Sequence, residues 1–184
     1  MSSEKILEDI VESATRARAH YQMWWALANR IHPDLEPRTS EYNDFFVLTC
    51  AASYTAMFIY IGHLFDKSND VSSIDTYLKR TSKSLPMATF KEFKDKHNEL
   101  VKRAKPIVKA RHMSVAHINA FLTEKEVFIR HGFTWNELRD LIEDSCTLVR
   151  TLARSRGLSS TVFDSDRYMQ ATLEVVRALP SRRD

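Results

Sequence analysis

The chain contains very few residues that interrupt a helix, and this scarcity limits the folds open to it. Among its 184 residues there are three glycines and five prolines. A β-sandwich or barrel needs a turn roughly every 8–12 residues, which so few glycines and prolines do not supply. The apolar share of 43% is ordinary for a globular protein with a real core. The sequence therefore predicts one all-α domain over residues 1–184.

Hydrophobic periodicity places a succession of helices along this domain. Thr134 and Glu137 have the spacing of a capping box, which predicts the start of a helix. Gly157 predicts the end of the same helix. Pro106 either kinks the fourth helix or starts a new one. We expect an up-and-down bundle of about five to seven helices, with a flexible basic tail from about residue 180. The helices are predicted near residues 3–31, 41–67, 72–81, 89–121, 134–157 and 165–179.

Residues 45–65 form an uncharged run that is long enough to cross a bilayer. Against a membrane span, the run carries polar side chains such as Thr49 and His63. Asp44 and Asp66 bracket it, and no basic cluster at either end sets an orientation. A helix that is buried on all sides within a bundle gives the same pattern. We therefore expect a buried helix and no membrane association.

The cysteines and the N-terminal residues indicate the compartment. Cys50 lies in an apolar run, and two cysteines do not indicate a disulfide framework. The first residues show no basic region followed by an apolar core, as a signal peptide would. We expect a cytoplasmic protein.

Positive charge is concentrated in one part of the chain. Nine lysine or arginine residues stand against three acidic residues from Lys83 to Arg111, an excess of six positive charges in a chain whose total is +3. Such a run alone is most simply a solvated helix face. This basic run matters because it leads into a segment whose residues could carry out a reaction. Its positive charge can attract phosphate groups to that segment. The candidate RNA-binding residues are Lys102, Arg103, Lys105 and Lys109.

That segment runs from Arg111 to His117. An arginine followed by a polar residue, here His112, with a histidine six positions on, resembles the R-x(4–6)-H motif of the HEPN superfamily. Ala116 and the residues after His117 resemble the branch of AbiU-type abortive-infection proteins. The long uncharged helix and the Ser72-Ser73-Ile74 helix start resemble it too. The resemblance covers roughly residues 7–157 and implies a HEPN-like helical bundle.

The resemblance implies a metal-independent endoribonuclease that acts as a toxin or phage-defence effector, with no cofactor. RNA is cut without a metal when its own 2′-hydroxyl attacks the adjacent phosphorus. His117 suits the proton transfer, since histidine titrates near neutral pH. Arg111 suits phosphate binding because its guanidinium stays protonated and can donate two parallel hydrogen bonds to phosphate oxygens. His112 would position its neighbours. An antitoxin or other regulatory protein is a further expected partner.

Helix geometry bears on how this pair works. Six positions on a helix turn through about 600°, so that Arg111 and His117 point about 120° apart. One chain alone therefore makes a poor site. In the HEPN family the motifs of two subunits face each other, which implies a homodimer with a composite site.

Two other interpretations stay open at this point. One is a HEPN-like dimer that binds a partner protein or nucleotide without cleaving it, since His112 departs from the commoner asparagine. The other is a purely structural bundle. His63 and Asp66 lie three positions apart and could share a metal, but such a pair is more often a hydrogen-bonded histidine and carboxylate.

Overall fold

The computed structural model describes residues 2–28, 41–114, 132–158 and 165–180, with residues 110–114 described by their backbone alone. These residues form an all-α bundle of six helices and contain no strand. The predicted fold class is confirmed. The helices are α1 (Ser3–Ala28), α2 (Asn43–Leu64), α3 (Ile74–Thr81), α4 (Met87–Ser114), α5 (Trp135–Arg154) and α6 (Arg167–Ala178). The predicted basic tail lies outside the described residues beyond position 180.

Local sequence signals fix both ends of α5. The Thr134 side chain accepts a hydrogen bond from the Glu137 backbone N–H, and the Glu137 carboxylate accepts one from the Thr134 N–H at 2.6 Å. At the other end Gly157 has a φ of +74°, a conformation that costs glycine little. The Leu158 N–H then donates to the carbonyl of Ala153 at 3.0 Å, as in a Schellman motif. The predicted capping box and glycine stop are both confirmed.

Pro106 lies inside α4 and does not begin a new helix. Proline has no backbone N–H, so the carbonyl of Lys102 has no helical donor four residues later. The helix nevertheless continues to Ser114, and the basic run and the beginning of the motif share one element.

α1 packs against α2, α3, α5 and α6. Near its C-terminal end the Trp24 ring lies 4.2 Å from that of Trp135 in α5 and 6.3 Å from that of Tyr54 in α2, measured between centroids. Closer to the middle of α1, the buried Arg18 donates to the Glu143 carboxylate of α5 at 2.9 Å. On α2, Tyr60 stacks on His20 at 5.9 Å between ring centroids, whereas Tyr54 lies by Trp24. Residue numbers therefore fall along α2 and α5 as they rise along α1, and both neighbours run antiparallel to α1. This is the up-and-down order expected of a bundle.

α2 is buried on one part of its length. Its C-terminal half places Met57, Phe58 and Ile61 in the core, whereas Phe45 and Leu48 near its start are 62% and 70% exposed. The expectation of a helix buried on all sides is therefore wrong for the first turns. There α1 and α6 cover the face that carries Phe46, and no described helix covers the other faces. By length and composition, α2 is the one described helix that could cross a membrane.

His97 of α4 lies in the core, 3% exposed. Its ring stacks on Phe65 at 6.3 Å between centroids, and neither ring nitrogen has a hydrogen-bond partner among the described residues. Burial lowers its pKa to about 4, with Lys94 and Lys67 acting in the same direction and Asp75 opposing. The imidazole is therefore neutral near pH 7 and packs as an aromatic core residue.

The capping box gives a first prediction. Thr134→Ala removes the side-chain acceptor of the Glu137 N–H, and we expect it to lower the free energy of unfolding by about 1 kcal/mol. Denaturant unfolding followed by circular dichroism measures this change. The matched control is Thr151→Ala, an exposed site within α5 whose hydroxyl bonds the Thr147 carbonyl. Equal losses in the two variants would contradict a specific capping role.

His97 gives a second prediction. Because its pKa falls from 6.5 to about 4 on folding, the unfolded chain binds more protons between these values. The free energy of unfolding should therefore decrease as the pH falls from 6.5 to 4, by up to about 3 kcal/mol from this residue. In His97→Leu that component of the pH dependence should vanish, whereas His63→Gln, at an exposed histidine, should keep it. Parallel stability profiles for wild type and His97→Leu would show that His97 does not titrate in this way.

Candidate functional site

The basic residues of α4 fall into two groups, those that are paired and those that are not. Lys94 binds Asp75 at 3.1 Å, and Lys96 binds Glu92 at 2.7 Å. The exposed Lys102, Lys105 and Lys109 have no hydrogen bond or ion pair to any described residue. Lys91 near the start of the helix is unpaired as well, so that three of these four unpaired lysines lie in the second half of α4, where the motif begins.

Arg103 belongs with the paired group. Its guanidinium donates to the Asp144 carboxylate of α5 at 2.6 Å, and both side chains are partly exposed. This solvent-exposed ion pair links α4 to α5 and offsets the positive charge of Arg103, one of the predicted RNA-binding residues. Of the four predicted binding residues, Lys102, Lys105 and Lys109 therefore have the charge most available to an anion.

The predicted catalytic residues lie at the limit of the described chain. Arg111 and His112 stand on the last turn of α4, where the backbone is helical, and His117 lies outside the described residues. Arg156, just after α5, donates to the hydroxyl of Ser84, just before α4, at 2.8 Å, and Arg103 lies opposite Asp144. The two helices therefore run antiparallel, and the last turns of α4 extend towards the start of α5. The first turns of α2 lie at this same end of the bundle, next to the Trp24–Trp135 contact.

A pocket of about 430 Å³ opens between the C-terminal end of α2 and the second half of α4. Its apolar lining comes from both helices and consists of Gly62, Phe65, Val101, Ala104 and Val108. Its polar lining consists of Lys67, Lys102, Lys105 and Asp66. Three lysines and one aspartate thus line the pocket together with apolar side chains, a combination that suits an anion with an apolar body.

Lys67 is the residue of this pocket that sequence reasoning missed. It follows α2 and stands outside the basic run of α4, so that charge counting along the chain does not select it. Packing of α2 against α4 brings it to the same pocket as Lys102 and Lys105. The sequence did contain one indication of a charged site at the end of α2: Lys67 directly follows Asp66, the acidic residue that ends the uncharged run.

The described part of the chain shows neither a reactive buried cysteine nor a metal-binding cluster. Burial raises the pKa of the Cys146 thiol to about 12, and its S–H donates to the Ala14 carbonyl. No three histidine, cysteine, aspartate or glutamate side chains among the described residues are arranged to hold a metal ion together. The candidate pair of His63 and Asp66 thus gains no third ligand there.

Comparison with known proteins adds the family. The family model HEPN_AbiU2, described as AbiU2, matches residues 3–170. No curated protein and no solved structure matches the chain. The match spans α1 to the beginning of α6 and includes the basic helix, the pocket and the segment from Arg111 to His117. The chain therefore belongs to the AbiU2 family of HEPN proteins, the abortive-infection type that its sequence resembles.

Proposed function

We propose that this protein is an endoribonuclease that needs no metal ion and acts as a cytoplasmic effector of abortive infection. The observation that carries the proposal is the course of α4, which runs without interruption from the unpaired lysines to Arg111 and His112. A strip of free positive charge thus leads directly to the beginning of the motif. Phosphates attracted along this strip would be delivered to Arg111.

The chemistry follows from the two residue types. The 2′-hydroxyl of the RNA attacks the neighbouring phosphorus while the bond to the 5′-oxygen breaks. His117 moves protons: one leaves the attacking hydroxyl, and one is given to the departing 5′-oxygen. Arg111 binds the phosphate oxygens as negative charge accumulates on them, and His112 positions these groups. The products are a 2′,3′-cyclic phosphate and a 5′-hydroxyl end.

We further propose that two copies of the chain form the site. If the helix of the sequence prediction continued to His117, that residue would point about 120° away from Arg111, and one motif would not enclose a phosphate by itself. The exposed apolar residues Phe45 and Leu48 lie at the same end of the bundle as the motif. A second copy packed there would cover this surface and bring the two motifs together.

Cleavage in a chelator tests the chemistry. With RNA in excess EDTA, we expect the wild-type protein to leave 2′,3′-cyclic phosphate ends. His117→Ala and Arg111→Ala should each lower the rate by about 10² or more, because each removes a group that acts in the transition state. His63→Ala, at an exposed histidine outside the motif, should cleave at the wild-type rate. Absence of cleavage by wild type would instead favour the non-catalytic binding protein, and equal rates in all variants would point to a contaminating nuclease.

Sedimentation tests the composite site. We expect a species of twice the chain mass of 21.4 kDa, formed without detergent. The double variant Phe45→Glu/Leu48→Glu should sediment as a monomer and lose cleavage together. Met87→Glu is the matched control, because Met87 is 82% exposed at the far end of α4. A monomeric wild type that cleaves RNA would contradict the composite site, and a chain that sediments only with detergent would favour a lipid-covered surface.

A further inference from the structure

We propose that the pocket between α2 and α4 binds one unpaired nucleotide of the RNA, next to the phosphate held at Arg111. This inference rests on the proposed ribonuclease function and gives it a substrate class, single-stranded or looped RNA. Three features of the pocket support it: its shape, its charge and its distance from the motif.

The shape of the pocket suits a nucleotide that has left the base stack. Its volume of about 430 Å³ lies in the range of small-molecule sites, large enough for one nucleotide and too small for a base pair with its neighbours. Phe65, Val101 and Val108 give it an apolar floor for a flat base. Bases within a duplex are stacked and paired, and proteins read bases individually where these are splayed out of loops and single strands.

The charge of the pocket suits the backbone of that nucleotide. Lys67, Lys102 and Lys105 meet at the pocket, and none of them has a hydrogen bond or ion pair within the described part of the chain. By contrast, carboxylates offset the charge of Lys94, Lys96 and Arg103 on the same helix. The Asp66 carboxylate, which accepts a hydrogen bond from the Ser68 N–H at 2.8 Å, can also accept one from a ribose hydroxyl or a base amino group.

The position of the pocket relates it to the motif. Val108 lines the pocket three residues before Arg111 on the same helix, a rise of about 4.5 Å. Lys105 precedes Arg111 by six residues, or about 9 Å along the axis. A nucleotide in the pocket would therefore be a near neighbour of the phosphate at Arg111, and it would select where the chain is cut.

The test measures binding of an RNA that cannot be cleaved. A short fluorescent 2′-O-methyl oligoribonucleotide lacks the attacking hydroxyl and is titrated with the full chain, single-stranded or annealed to its complement. We expect the single strand to bind about tenfold or more tightly than the duplex, since only an unpaired base enters the pocket. Equal affinity for both forms would overturn the proposal.

Two substitutions and a matched control locate the effect. Val108→Phe fills the pocket. Lys67→Gln removes a positive charge of the pocket that lies outside the segment from Arg111 to His117. Each substitution should weaken single-strand binding by about tenfold. Lys67→Gln should also reduce the slope of log affinity against log salt by about 0.7, as expected for one lost contact to a single-stranded phosphate. Lys91→Gln makes the same charge change at an exposed, unpaired lysine about 21 Å before Lys105 on α4 and should change affinity less than about twofold.

The outcomes separate this proposal from the one on which it rests. Unchanged binding by both pocket variants, with cleavage that still depends on His117, would overturn the pocket alone. Absent cleavage with intact discrimination between single strand and duplex would overturn the nuclease and keep the pocket. Binding of free adenosine monophosphate as tightly as the oligonucleotide would overturn the RNA subsite in favour of a free nucleotide.

Discussion

α1 packs between α2 and α5, and its antiparallel contacts with both helices set the positions of the remaining elements. The Trp24 ring joins all three helices, while the pair of Arg18 and Glu143 fixes the register of α1 against α5. α4 then lies against α2, α3 and α5. On one side of α4 Arg103 pairs with Asp144 of α5, and another side faces α2 across the lysine-lined pocket. The electrostatics of α4 therefore depend on where α1 places its two neighbours.

Features of the fold that depend on a few adjacent residues could be predicted from the sequence. The capping box at Thr134, the glycine stop at Gly157 and the serine cap of α3 at Ser73 each involve backbone groups within five residues. The burial of α2 could be predicted only in part. Apolar periodicity does not distinguish a helix enclosed by its own domain from one whose first turns stay exposed, because that difference depends on which helices lie alongside.

The candidate site divides in the same way. The segment from Arg111 to His117 could be found from its spacing and family resemblance, and the AbiU2 match confirms the family. The pocket could not be found, since Lys67 reaches Lys102 only through the packing of α2 on α4. Nor could the pairing of Arg103, whose partner Asp144 lies 41 positions along the chain. Counting charges along a sequence gives the net charge of a helix, but it does not show which of those charges form ion pairs with other helices after folding.

Pro106 gives the end of α4 the properties of a lever. The helix continues for eight residues beyond it, about 12 Å, to Ser114, and the unpaired carbonyl of Lys102 lowers the energy of bending at this point. A change of about 10° in the bend would move Ser114 by about 2 Å. Catalytic groups misplaced by about 1 Å can lose about 10² in rate. The backbone at Pro106, beside the lysine-lined pocket, thus sets the direction of the helix end that carries Arg111, and in the proposed ribonuclease small changes there would be amplified into large changes in turnover.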